Sequence, residues 1–158
     1  MNRFLLVALG VTSLLLTGCP DPATTTFSGI ARTDDACLVS EDDPQDWQPR
    51  MSTSAVRQLR RGEITVEVQP ERVGCIPACP NPVSRLTTFG FAVPETQNVS
   101  VRLLRSSNEE VRTLFSGKVT AGVHMYELDV TDLTNGTYRV AIDFEKAADT
   151  FGDVLVQR

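Results

Sequence analysis

Few groups in this chain are equipped for chemistry: four cysteines, a single histidine and an acidic run spread over residues 34–46. Cys75 and Cys79 flank Ile76-Pro77-Ala78, a spacing that raises redox and zinc chemistry. A thioredoxin-type site has two intervening residues and opens a helix, whereas three intervene here and Pro77 and Pro80 disfavour helix. Zinc would need Cys37, Cys75, Cys79 and His124 together, and these lack the paired short spacings of structural zinc sites. No metal and no cofactor is therefore expected. Asp34, Asp35, Glu41, Asp42, Asp43 and Asp46 carry oxygens of the kind calcium takes, but Pro44 interrupts them. A solvated acidic loop is the expectation, with Trp47 beside it as a core anchor. His124, Asp129 and Asp132 are the residues on which a catalytic reading would draw. No Gly-x-Ser-x-Gly elbow, phosphate loop or His-Glu-x-x-His helix occurs. The residues thus predict no catalytic set, no small-molecule substrate and a chain that is not an enzyme.

Cys19 differs from the other three cysteines in its setting. Arg3 begins a short positive region, and Phe4 to Leu16 is an almost unbroken apolar run of 13 residues. A stable membrane span needs about 20 residues. Thirteen suit the hydrophobic part of a signal peptide. The run closes on Leu16-Thr17-Gly18-Cys19, which resembles the lipobox of bacterial lipoproteins. That chemistry needs a free thiol to accept a diacylglyceryl group, and small residues before it so that the signal peptidase can reach the backbone. The resemblance implies cleavage before Cys19 and acylation there, with two or three chains giving stable anchoring in membrane lipid. Residues 1–18 are then a signal peptide and 19–28 a tether. Pro20 to Thr26, with two prolines and three threonines, extends to roughly 23 Å.

With Cys19 acylated, Cys37, Cys75 and Cys79 remain, in an oxidising compartment. Cys75 and Cys79 in extended chain would lie about 13 Å apart, beyond the roughly 4.4–6.8 Å between Cα atoms that a disulfide spans. Bridging them needs a tight turn at Pro77. Cys37 paired with Cys75 or with Cys79 is the favoured structural disulfide, worth about 3–4 kcal/mol.

The net charge of −5, with only two lysines (Lys118 and Lys146), argues against nucleic acid as a partner. Residues 29–61 read as loop-rich. Phe27 to Ile30 could start a short strand, and Ser52 to Arg61 could form one short helix. Ile64, Val66 and Val68 alternate with polar residues over 62–69, a strand stopped by Pro70. Beyond it, short apolar stretches recur between turn signals: Leu86 to Val93, Val99 to Leu104, Val111 to Phe115 closed by Gly117, Val123 to Val130, Tyr138 to Phe144, and Phe151 to Val156. This is the pattern of a small all-β sandwich of immunoglobulin or fibronectin III type. It has about seven strands, spans 62–158, and includes the 62–69 strand.

Several motifs inside that region fall in a familiar order. Asn81-Pro82 precedes the first strand, Val93-Pro94-Glu95 the second, and Glu110-Val111 enters the third. Ala121-Gly122-x-His124 and Asp129-x-x-Asp132-Leu133 then lead to Gly136-Thr137-Tyr138. Over 79–158 the chain resembles the FlgD-type immunoglobulin-like domain, a group that includes the type A sorting domain of type IX secretion cargo. The resemblance implies structural roles for Asn81, Pro82, Pro94, Gly122, Asp129, Leu133, Gly136 and Tyr138, and it puts His124, Asp129 and Asp132 on a strand and the connection after it, in structural hydrogen bonding. Leu133 and Tyr138 are expected in the core, and Gly136 in a turn of positive φ.

Together these readings lead to an expected lipid-anchored protein of the bacterial cell envelope, in the outer membrane. Its sandwich binds an envelope protein or serves as an accessory module. The alternative is a type IX secretion substrate or component whose C-terminal sandwich is a sorting domain.

Overall fold

The computed structural model describes residues 27, 29–34, 36–51 and 70–158. Nine antiparallel strands account for its regular structure: β1 Arg32–Thr33, β2 Val39–Glu41, β3 Gly74–Cys79, β4 Leu86–Val93, β5 Gln97–Arg105, β6 Glu110–Val119, β7 Gly122–Asp129, β8 Gly136–Phe144 and β9 Thr150–Val156. The first two form a small hairpin. The other seven form two sheets ordered β3-β4-β7 and β6-β5-β8-β9. In immunoglobulin lettering these are A-B-E and C′-C-F-G, the all-β sandwich expected from the alternation. The expected strand at 62–69 and helix at 52–61 lie outside the described residues.

Period-two alternation builds the core between the sheets. Phe89, Phe91 and Val93 of β4 face Val99, Val101 and Leu103 of β5, with Tyr138, Val140, Ile142 and Phe144 of β8 and Val154 and Val156 of β9. The aromatic members meet at ring-centroid distances of 5.6 Å for Phe91–Phe144 and 5.7 Å for Phe89–Tyr126, in the range where such pairs add to plain burial. Gly122 and Gly136 open β7 and β8 at φ of 139° and 149°, a conformation that a side chain would strain.

The structure adds one strand to the sequence expectations and departs from them in two places. Gly74–Cys79, where no strand was expected, is a fully buried strand. Its register with β4 shifts between Ile76 and Cys79, an irregularity that accommodates a proline lacking a ladder N–H. β6 does not stop at Gly117 but runs on to Val119, paired with Gln97. Near the N-terminus, Phe27, Gly29 and Ile30 lie outside any strand, and a strand forms at Arg32–Thr33.

Residues 29–51 act as a strap along one side of the sandwich. Met51 N–H bonds Cys75 O, and Cys75 N–H bonds Pro49 O, so the strap runs parallel to β3 at its outer edge. Trp47 N–H reaches Phe151 O on β9. The segment around Val83 covers the rest of β9, through Val83 N–H to Leu155 O and Gln157 N–H to Val83 O. The edges of both sheets on this side are therefore occupied. Trp47, fully buried, fulfils the anchor role and packs 5.7 Å from Phe89. Its indole fits because residue 152 is glycine: a Cβ there would overlap the ring.

Candidate functional site

The densest polar chemistry in the protein lies where the strap meets β8 and β9. Arg139 and Asp153 point away from the hydrophobic core because Tyr138, Val140 and Val154 on either side of them point in. They are nonetheless buried, at 0% and 1% exposure. Arg139 donates two hydrogen bonds of 2.8 Å to the Asp153 carboxylate, a planar bidentate pair. Its guanidinium lies 4.2 Å from the Phe27 ring centre and 3.9 Å from that of Phe151. The stacking and the fork together compensate a charge that would be costly to bury alone. Burial pushes the Asp153 carboxyl up against the downward pull of Arg139.

Asp46 closes the strap from the other side. One of its oxygens accepts the Ala31 N–H at 2.9 Å, while Oδ1 is buried without a hydrogen-bond partner. Desolvation, followed by the neighbouring Asp153 charge, pushes this carboxyl from 3.8 up to about 7. Asp43 is also buried and accepts the Gln45 N–H, and a Cβ on residue 29 would strike its Oδ2 at 2.5 Å. The acidic run is thus only partly the solvated loop expected of it. Asp42 stays exposed in an ion pair with Arg50, while Asp43 and Asp46 turn inward, because the strap must satisfy its own backbone N–H groups where it is covered.

Asn81 joins the three pieces. Its amide nitrogen donates to Ala31 O and to Asp153 O, both at 2.9 Å, and its carbonyl oxygen accepts from Leu155 N–H at 2.9 Å. The carboxamide thereby replaces one peptide unit of a strand beside β9. Asn81 N–H bonds Thr33 Oγ1, and Thr33 N–H bonds Asn81 O. This geometry accounts physically for the Asn81-Pro82 motif. Cys37 and Cys79 form a disulfide with Cα atoms 5.4 Å apart, which fastens the hairpin turn to the end of β3. Of the two pairings left open by the sequence, this one is formed.

Cys75 is the free cysteine of the described residues, fully buried within the core cluster. Burial raises its thiol to about 12, so it behaves as a small apolar side chain. Cys19, Leu16, Thr17 and Gly18 lie outside the described residues. Among the family-motif residues, Leu133 and Tyr138 are buried in the core, the Tyr138 hydroxyl donating to Thr134 O. Pro94 sits exposed between β4 and β5, and Pro82 lies beside the Asn81 junction.

His124, Asp129 and Asp132 each hold a separate partner. His124 Nε2 bonds Thr120 O, Asp129 accepts from the Thr131 N–H and hydroxyl, and Asp132 pairs with Arg112. The Thr131 bonds hold the Asp129 carboxyl below its ordinary value. Among the described residues, no group of three or more His, Cys, Asp or Glu side chains is placed to hold a metal ion. The contacts of the strap junction fasten residues 29–51 to the sandwich.

Arg139 and Asp153 had no signal in the sequence. Each reads as the outward residue of an alternating strand, and the ring that covers Arg139 comes from Phe27, 112 positions away (139 − 27). Comparison of the chain with protein-family models, with curated proteins and with solved structures finds no match.

Proposed function

We propose that this protein is a bacterial lipoprotein, held in the cell envelope by acylated Cys19, whose immunoglobulin-like sandwich is a non-catalytic binding or accessory module. The observation that carries the reading is Leu16-Thr17-Gly18-Cys19 at the end of a 13-residue apolar run that follows Arg3. Two features support it. A disulfide between Cys37 and Cys79 suits an oxidising compartment outside the cytoplasm. The chain that would follow the tether is fastened into the sandwich by the stacking of Phe27 on Arg139, a side-chain amide and a disulfide. A membrane anchor at the N-terminus would thus restrain the whole sandwich and not a loose arm. The partner is an envelope protein, and the outer membrane is the proposed location. Fractionation of cells expressing the wild type and Cys19→Ser tests this: the wild type sediments with membranes and the variant is released.

The motif order over 79–158 favours a second reading, in which the sandwich is a sorting domain for type IX secretion. Its test is the location of the full chain in cells lacking that exporter. An unchanged location excludes the sorting role, and retention in the periplasm supports it.

A further inference from the structure

The four edge strands of the sandwich are treated differently. β3 is covered by residues 49–51 and β9 by Trp47 and Val83. β6 has no strand beyond it among the described residues, but its pairing with β5 shifts register twice, and it carries Glu110, Arg112 and Lys118. Bulges and charges of this kind are how proteins keep an edge from pairing. β7 also has no strand beyond it among the described residues, and its two charges, Glu127 and Asp129, both lie in its second half. It runs in unbroken register with β4 over eight residue pairs, and its first five residues, Gly122 to Tyr126, carry no Asp, Glu, Lys or Arg. At its centre is Met125, one of two large apolar side chains exposed among the described residues.

We propose that β7 is the interface of a symmetric homodimer, in which two copies pair antiparallel through this edge into a continuous six-stranded sheet. A second copy fits because the strand is complementary to itself. With the two-fold axis on Met125, the two Met125 side chains face each other, Tyr126 lies opposite His124, and Val123 lies opposite Glu127. Asp129 meets Ala121, so no like charges are opposed. Centring the axis on Glu127 would oppose two carboxylates directly, which disfavours that register. The contact is isologous and closes on itself, so it yields dimers and not fibres.

The axis lies normal to the sheet and therefore keeps the faces of the two copies aligned. Phe27, stacked on Arg139 at the outer face of the β6-β5-β8-β9 sheet, is then on the same side of the dimer in both copies. Two N-termini leaving one face suit attachment to one membrane. That point alone rests on the acylation of Cys19, and the pairing of β7 does not.

The test is cross-linking of the full chain carrying Cys19→Ser, in detergent, with Met125→Cys beside Lys118→Cys on β6 as the comparison. Directly opposed residues place their Cβ atoms about 4.5–5.5 Å apart. Copper–phenanthroline oxidation therefore links two Met125→Cys chains into a covalent dimer and leaves Lys118→Cys monomeric. Light scattering at about 100 µM gives twice the chain mass for the wild type, and Met125→Lys weakens association about tenfold or more, with an unchanged melting temperature at dilutions where both chains are monomeric. A monomeric wild type at that concentration overturns the proposal, as does a dimer that cross-links through residue 118 and not 125. With Cys19 replaced in the cross-linked chains, both outcomes are independent of whether Cys19 is acylated.

Discussion

Asp46 is the residue whose environment conflicts most with its ordinary chemistry. Its carboxyl is pushed to about 7 by desolvation and by Asp153, against 3.8 in open chain. Between those two values the folded chain holds a proton that the unfolded chain has released. The stabilisation from the protonated carboxyl is therefore complete below pH 3.8 and is lost as pH rises through 7. Thermal melts across that window should show stability falling by up to one proton's slope from this residue. Asp46→Asn keeps an oxygen for the Ala31 N–H and carries no charge, so it should flatten that dependence and melt higher than the wild type at pH 8. An unchanged slope in the variant would remove Asp46 from the account. Cys75 gives a second prediction at this scale. With its thiol raised to about 12 and fully buried, it should resist iodoacetamide in the native protein and react once the chain is unfolded, as peptide mass spectrometry would show.

Among the elements, the strap is held by fit and by hydrogen bonds in comparable measure. Gly152→Ala places a methyl group where the Trp47 indole lies and should cost about 1–3 kcal/mol, since the neighbouring core cannot open freely. Asn81→Ala strips partners from Ala31 O, Asp153 O and Leu155 N–H at once. It should cost about 2–3 kcal/mol, because groups left unpaired in a covered site keep their desolvation penalty. Denaturant titration of both variants measures these losses, and an Asn81→Ala protein as stable as the wild type would contradict the joining role. The C-terminal strands were legible in sequence because each has one face in the core and therefore alternates. β3 was not: buried on both faces and interrupted by Pro77, it has no period to read. The burial of Asp43 and Asp46 was hidden for a related reason, since an acidic run looks solvated until the groups that cover it are known. Those groups come from Gly29, Ala31 and Asp153, and no local pattern brings them together.

Over the whole molecule, the strap and the sandwich are one mechanical unit. The Cys37–Cys79 bridge spans 42 positions of sequence, and closing a loop of that length is worth about 4 kcal/mol in chain entropy. The Cys37→Ser, Cys79→Ser double variant should lose stability of that order while the sandwich strands persist by circular dichroism. Fold class and the cysteine needed for the bridge could be read from alternation and cysteine spacing. The strap's attachment could not, because Phe27–Arg139 and Asn81–Asp153 join segments far apart in the chain. The central claim is that a fold with its N-terminal segment fastened this firmly is tethered through Cys19. Metabolic labelling with radioactive palmitate tests it most directly. The account predicts that the wild type incorporates label and Cys19→Ser does not; an unlabelled wild type, or a variant that is still labelled, would contradict it.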